Sequence, residues 1–414
     1  MYEADWSRRL TALYKEARPR AWNDVPPNVW ALGWTSFLTD ISSEMITAIL
    51  PMYLVLHLGL TPLSFGAVDG LYQGVTALTR WIGGAIGDRS HRYRRVATVG
   101  YALSALSRVG WLLTSGGAAL AAAMIAVDRI GKGVRTAPRD ALIASSSSPD
   151  RLATSFGVHR ALDAAGATLG PLVAFGVLFA VPAGYDLVFV VSGAAAVLGI
   201  GVLMLFVSEA PAADGALRTA ATPQRVSLST LFANRRFVAI TLAGTALALG
   251  TVSDAFTYLV LQGAAVQPLS LPLLYTGTST VFLAFAGPAG AAADRFGANR
   301  VFLGGHVLLL LAYGAAVVAP RPAGLLLVPL LLGSYYAATD GVLAAMGSAV
   351  LPPALRGRGL AILGTGTSLA RFASSLAFGF VWVHATAPLA MAAFAVVLVC
   401  ALAAAGFVLT RVKR

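Results

Sequence analysis

Apolar residues in this chain run in blocks rather than in the spaced stripes of a water-soluble helix. Short clusters of Arg, Gly, Pro and Ser separate the blocks. A helix needs about 20 mostly apolar residues to cross a hydrocarbon layer of about 30 Å. Twelve blocks meet that length: 29–57, 62–87, 95–114, 117–144, 155–181, 186–207, 237–262, 269–293, 300–319, 323–350, 359–384 and 388–410. The pattern predicts an all-α polytopic membrane protein of twelve transmembrane helices. The first 27 residues are polar and charged with no apolar run, so no cleavable signal peptide is read there.

Composition agrees with the pattern. The chain is 57% hydrophobic and 12% charged over 414 residues, far more apolar side chain than a soluble core requires. Charge then sets orientation. With the N-terminus in the cytoplasm, the basic clusters at Arg8–Arg9, Arg92–Arg95, Arg235–Arg236, Arg356–Arg358 and Lys413–Arg414 all fall inside, and Arg321 is the only base in an outer loop. That is the positive-inside bias of a protein of the cytoplasmic membrane with both termini inside. The net charge of +12 is carried by these loops and calls for no nucleic acid.

The fourth block poses a problem, because "DRIGKGVRTAPRD" lies within it. The apolar stretch before it, "GGAALAAAMIAV", would rise only about 18 Å as a helix. It cannot span alone, so the helix continues through the charges to about Ala144. At about 100° per residue, Asp128, Lys132, Arg135 and Arg139 share one face within about 60°, with Arg129 and Asp140 about 100° round. Such a stripe faces the protein interior or a wet cavity rather than lipid.

The chain also repeats. "GGAIGDRSHRYRR" after the second block is answered by "GAAADRFGANR" after the eighth, matching Gly84 and Asp88-Arg89 to Gly290 and Asp294-Arg295. The repeat divides the chain into a tail (1–28), a six-helix half (29–207), a polar linker (208–236), a second six-helix half (237–410) and an end (411–414). Two six-helix halves around a midplane site is a transporter architecture.

On these residues the chain resembles the Major Facilitator Superfamily. "GAIGDRSHRYRR" is similar to the superfamily signature after the second helix, with His91 where Gly is usual, and the resemblance implies a cytoplasmic gate at Gly84, Asp88, Arg89 and Arg92, with Asp294 and Arg295 as its repeat. "IAVDRIGKG" resembles a fourth-helix pattern in which Arg129 would serve proton coupling. "GVHRALDAAGATLGP" resembles the antiporter signature through Gly157, Gly166, Gly170 and Pro171, although Ala174-Phe175 replaces its closing glycine pair.

Coupling needs a group whose protonation changes during transport. Asp40, Glu44, Asp128, Asp163, Asp254 and Asp340 lie at membrane depth, as does Asp69, and with Arg129 they are the coupling candidates; Asp40 and Glu44 lead, because in the superfamily the first helix lines the cavity. Lys132, Arg135, Arg139 and Arg371 can bind an anionic solute, since guanidinium groups suit carboxylate and phosphate. The same cations could instead be neutralised permanently by neighbouring acids. Tyr258, Tyr335 and Tyr336 offer a surface for an organic body, and aromatics at helical spacing are more often packing.

Enzyme readings are weak. His57, His91, His159, His306 and His384 have no metal-ligand spacing, Cys400 is alone, and "GKGVRT" lacks the spacer and the Ser/Thr of a phosphate loop. The expectation is a secondary transporter of a small organic solute in the lipid bilayer, monomeric, without cofactor, driven by the proton gradient and working as an efflux antiporter. An uptake symporter for an anionic solute, a lipid flippase and a non-transporting receptor are the alternatives.

Overall fold

The computed structural model describes residues 25–90, 92–113, 117–148, 151–209, 228–263, 268–318 and 323–411. The tail (1–24), most of the linker (210–227) and 412–414 lie outside the described residues, as does His91. Among the described residues there is no β-strand. The first half comprises α1 (Pro27–Pro51, extended by a π-helical turn Met52–His57), α2 (Pro62–Ser90), α3 (Tyr93–Trp111), α4 (Ala118–Ser146), α5 (Leu152–Ala180) and α6 (Tyr185–Phe206). The second comprises α7 (Arg235–Leu249, resuming at Asp254–Gly263), α8 (Leu271–Phe296), α9 (Ala298–Val318), α10 (Ala323–Ala349), α11 (Pro353–His384) and α12 (Ala387–Arg411).

The ends of these helices follow local chemistry. Pro27 opens α1 at the position where a missing N–H costs nothing, and Gly59, at φ 68°, turns the chain after the π-helical turn. Asn234 caps α7: its side-chain oxygen accepts from the Phe237 N–H at 3.1 Å while its amide donates to the Val350 carbonyl at 2.8 Å. Seven of the spans are long and apolar enough by length and composition to cross a membrane, namely α1, α5, α6, α7, α9, α10 and α12. The others, α4 among them, carry polar groups that are packed against neighbouring helices.

Packing repeats between the halves. In the first half α1 lies against α5 and α6, α2 against α4, and α3 against α4 and α6; in the second α7 lies against α11 and α12, α8 against α10, and α9 against α10 and α12. Every pairing maps onto its counterpart six helices later. The contacts between halves obey the same rule, α2 meeting α11 and α8 meeting α5.

Several crossings are close enough to require glycine, and two of them bear on how the molecule closes. A Cβ on Gly166 would come within 2.4 Å of the Phe37 carbonyl oxygen, which brings α5 onto α1. A Cβ on Gly66 would lie 2.5 Å from the Ser375 oxygen, and one on Gly379 2.4 Å from the Pro62 oxygen, so α2 and α11 meet backbone to backbone. This second crossing joins the halves at the end where α2 begins. At the other end Gly157, Gly290 and Gly357 face open space. The halves are therefore joined backbone to backbone at the end where α2 begins.

The break in α7 spans 250–253 and leaves backbone groups without helical partners. Tyr313 on α9 donates its hydroxyl to the Gly250 carbonyl at 2.9 Å and accepts from the Val252 N–H at 2.6 Å. Ser374 on α11 donates to the Thr251 carbonyl at 2.7 Å. A break at membrane depth persists because neighbours supply these partners.

Candidate functional site

Below the closed crossing lies a cavity of about 520 Å³, walled by both halves. From the first half α1 contributes Glu44, α2 contributes Asp69, Tyr72 and Gln73, and α4 contributes Lys132. From the second α7 contributes Ser253 and Asp254 beside its break, α8 contributes Tyr275 and Thr278, α10 contributes Tyr336 and Asp340, and α11 contributes Arg371. The Tyr336 hydroxyl donates to Asp254 at 2.8 Å, and Arg371 lies 3.8 Å from Asp340. An aromatic and aliphatic lining with a few oriented charges is the usual make-up of a small-molecule site.

Behind the first-half wall runs a chain of buried ions, which shows where the charged stripe of α4 goes. Arg108 on α3 donates to Asp128 at 2.8 Å and to Ser42 and Ser43 on α1, each at 3.0 Å. Arg129 pairs with the other oxygen of Asp128, and its guanidinium lies 4.0 Å from the Tyr72 ring centre. About two turns further, Arg135 sits 3.8 Å from Asp40, donates to Ser104 at 3.1 Å and stacks over Tyr101. Arg139 binds Asp140 at 2.9 Å and lies 3.7 Å from Asp163, which Arg160 approaches to 3.8 Å. Asp128, Arg129 and Arg135 are 3–4% exposed, so this stripe is packed against α1 and α3 and not against lipid. Buried charges arranged in this way hold one another in place, and Asp128, gripped by two guanidinium groups, has the least freedom to change partner.

The family model of the Major Facilitator Superfamily matches residues 32–267. The chain belongs to the Major Facilitator Superfamily. An uncharacterized transporter of this type from Methanocaldococcus jannaschii is 30% identical over 372 residues, which is 87% of this chain and 89% of the relative. An uncharacterized protein of Mycobacterium tuberculosis is 33% identical over 150 residues, 36% of each chain. Among solved structures, the fold is shared with the peptide transporter POT (TM-score 0.76, 16% identity, 95% of this chain and 96% of that one). It is shared also with a D-xylose–proton symporter (TM-score 0.71, 18% identity, 92% and 96%). This superfamily member is thus a membrane transporter and not an enzyme.

The residues singled out in the sequence of this superfamily member fall into distinct groups. Glu44, Asp254, Asp340, Lys132, Tyr336 and Arg371 line the cavity. Asp40, Asp128, Arg129, Asp163, Arg135 and Arg139 do not; they form the ion chain behind it. Tyr258 is fully buried, its hydroxyl bonded to Thr278, and Tyr335 lines a second cavity of about 470 Å³, walled by the second half and by Arg160 of α5, that shares Asp340 and Arg371 with the first. In the signature turn Arg89, Arg92, Asp294 and Arg295 are exposed at the end away from the α2–α11 glycine crossing, while Gly84 and the Asp88 side chain lie outside what is described. On α5, Gly166 and Gly170 press against α1, Pro171 is buried within the helix, and Gly157 has no neighbour.

Two residues matter more in the structure than in the sequence reading. Arg108 is the second clamp on Asp128, and a lone Arg in the apolar run "YALSALSRVGW" was a readable signal. Asp69 meets the other half of the molecule, and no sequence signal marks that contact.

Proposed function

We propose that this transporter moves a small organic solute by alternating access through the cavity between its halves, coupled to protons and working in the export direction. The observation that carries the reading is a cavity of about 520 Å³ at membrane depth, between the halves, that lies beneath the α2–α11 crossing and is lined by Glu44, Asp69, Asp254 and Asp340. Carboxylates on the wall of such a cavity can exchange protons with whichever side the cavity faces; those in the ion chain are tied to guanidinium groups. With the termini in the cytoplasm, the end that is shut is the outer one. The structure then represents the state that faces inward.

In this reading Lys132 and Arg371 orient the solute from opposite walls, and Tyr275 and Tyr336 bound its organic body. Arg89, Arg92, Asp294 and Arg295 lie at the inner ends, where a gate must form when the cavity turns outward, with Asp88 as the carboxylate of that gate. Export in exchange for protons is supported by the α5 motif, and the Gly166 and Gly170 contacts make α1 and α5 a rigid pair that can swing as one. The protein is taken to work as a monomer in the cytoplasmic membrane without a cofactor.

The test is a thermal-shift screen of the purified protein against antibiotics, organic acids, sugars, siderophores and lysolipids, followed by flux of the stabilising compound in proteoliposomes. An imposed pH gradient, acidic on the outer side, should drive export, and a protonophore should abolish it. Flux unaffected by any proton gradient would reject proton coupling, and uphill uptake would reject the direction.

A further inference from the structure

Asp69 lies where the two halves touch most closely. It is one turn along α2 from Gly66, whose missing Cβ admits the Ser375 backbone, and the Ser375 hydroxyl on α11 donates to its carboxylate. Ser253, at the break in α7, lies with it in the cavity wall. Among the described residues no ion pair reaches Asp69, although it is 8% exposed and borders the cavity. The Asp69 side chain thus links α2 to α11 of the opposite half, beside the break in α7, at the crossing that must part when the outer end opens.

From this geometry we infer that Asp69 carries the coupled proton and acts as the latch of the outer end, an inference that rests on the proton-coupled reading above. The physical reason is a difference between its two charge states. Closing the crossing over an ionised Asp69 removes a charge from water with no ion-pair partner to receive it, whereas a neutral carboxyl can still accept from the Ser375 hydroxyl. Closure of α2 on α11 and occupancy of Asp69 by a proton are therefore linked. Asp69 borders the cavity in this state, so its proton exchanges with the inner side; once the crossing parts, the same carboxyl faces the outer side.

The charged and titratable groups around it fit that role. On α2 itself Tyr72 lies one turn away, on α1 Glu44 shares the cavity, on α7 Asp254 is held by Tyr336, on α8 Tyr275 is in the wall, and on α11 Arg371 is engaged with Asp340. On α4 Lys132 lines the same cavity, and among the described residues neither it nor any other cation forms an ion pair with Asp69. Glu44 also borders the cavity, but among the described residues no hydrogen bond or ion pair joins it to the other half, so its protonation does not bear on the crossing.

The experiment places a spin label at each outer end, Ser64→Cys on α2 and His384→Cys on α11 in a Cys400→Ser background, in the full-length protein reconstituted in lipid. The distance distribution between them is recorded as pH is varied without solute. The double-labelled parent should shift from closed at low pH toward open at high pH, Asp69→Asn should stay closed with the pH response lost, and Ser375→Ala should keep the response with a displaced midpoint. A pH response in Asp69→Asn equal to the parent's would overturn the inference and leave proton coupling to another group. Absence of any response in the parent would overturn this inference and weaken the coupled reading with it. Should Asp69→Asn fail to insert, an undisplaced midpoint in Ser375→Ala would count against the latch.

Discussion

At Asp128 two guanidinium groups meet one carboxylate, and at Glu44 a carboxylate of the same half faces a cavity. Asp128→Ala strands both Arg108 and Arg129 in a packed interior, a loss of about 3–5 kcal/mol for removing one partner of a buried set. The detergent-solubilised protein should melt far lower or fail to accumulate. Glu44→Gln strands nothing; it should melt within a degree or two of the parent while losing proton-driven flux. Equal loss of stability in the two variants would show that Glu44 belongs to the ion chain after all. The stripe on α4 was legible in the sequence because helical periodicity alone puts Asp128, Lys132, Arg135 and Arg139 on one face. What periodicity could not tell was which of them reach the cavity. That depends on the tilt of α4 against α1 and α3, and only Lys132 does.

Among elements, α7 and α5 show what hydropathy reports and what it passes over. Span boundaries fell within a few residues of the helices because apolar run length is a direct demand of the bilayer. The break at 250–253 was invisible, since "GTVS" is apolar enough to read straight through and the partners that make the break possible, Tyr313 and Ser374, lie on other helices. Tyr313→Phe removes the partner of both the Gly250 carbonyl and the Val252 N–H. It should cost about 1–3 kcal/mol for each buried group left unsatisfied, read as a lowered melting temperature; an unchanged melting temperature would mean that water replaces the hydroxyl. On α5 the glycines are not equivalent. Gly166→Val should prevent α1 and α5 from docking and abolish a monodisperse peak in size-exclusion chromatography, whereas Gly157→Ala, facing open space, should be silent. If Gly157→Ala were as damaging, the end where it lies would have to close on it in the membrane.

Taken whole, the molecule is two copies of one packing scheme. The doubled Asp-Arg turn in the sequence announced the repeat, and the structure extends it to the principal helix pairs of each half, including the exchange of α2–α11 for α5–α8 between the halves. The asymmetry within that scheme is the informative part: glycines bring α2 and α11 together backbone to backbone at one end. A two-half molecule with one end shut and a charged cavity beneath is poised to rock, and its central claim is that the cavity opens to each side in turn. The direct measurement is the reactivity of Ser279→Cys, a residue of the cavity wall, in a Cys400→Ser background toward an impermeant methanethiosulfonate reagent applied separately to right-side-out and inside-out vesicles. The account predicts labelling from both faces, fast from the inside and slower from the outside, with the outside rate raised by conditions that part α2 from α11. Labelling from the inner face alone under every condition would contradict it and leave a fixed, one-sided cavity.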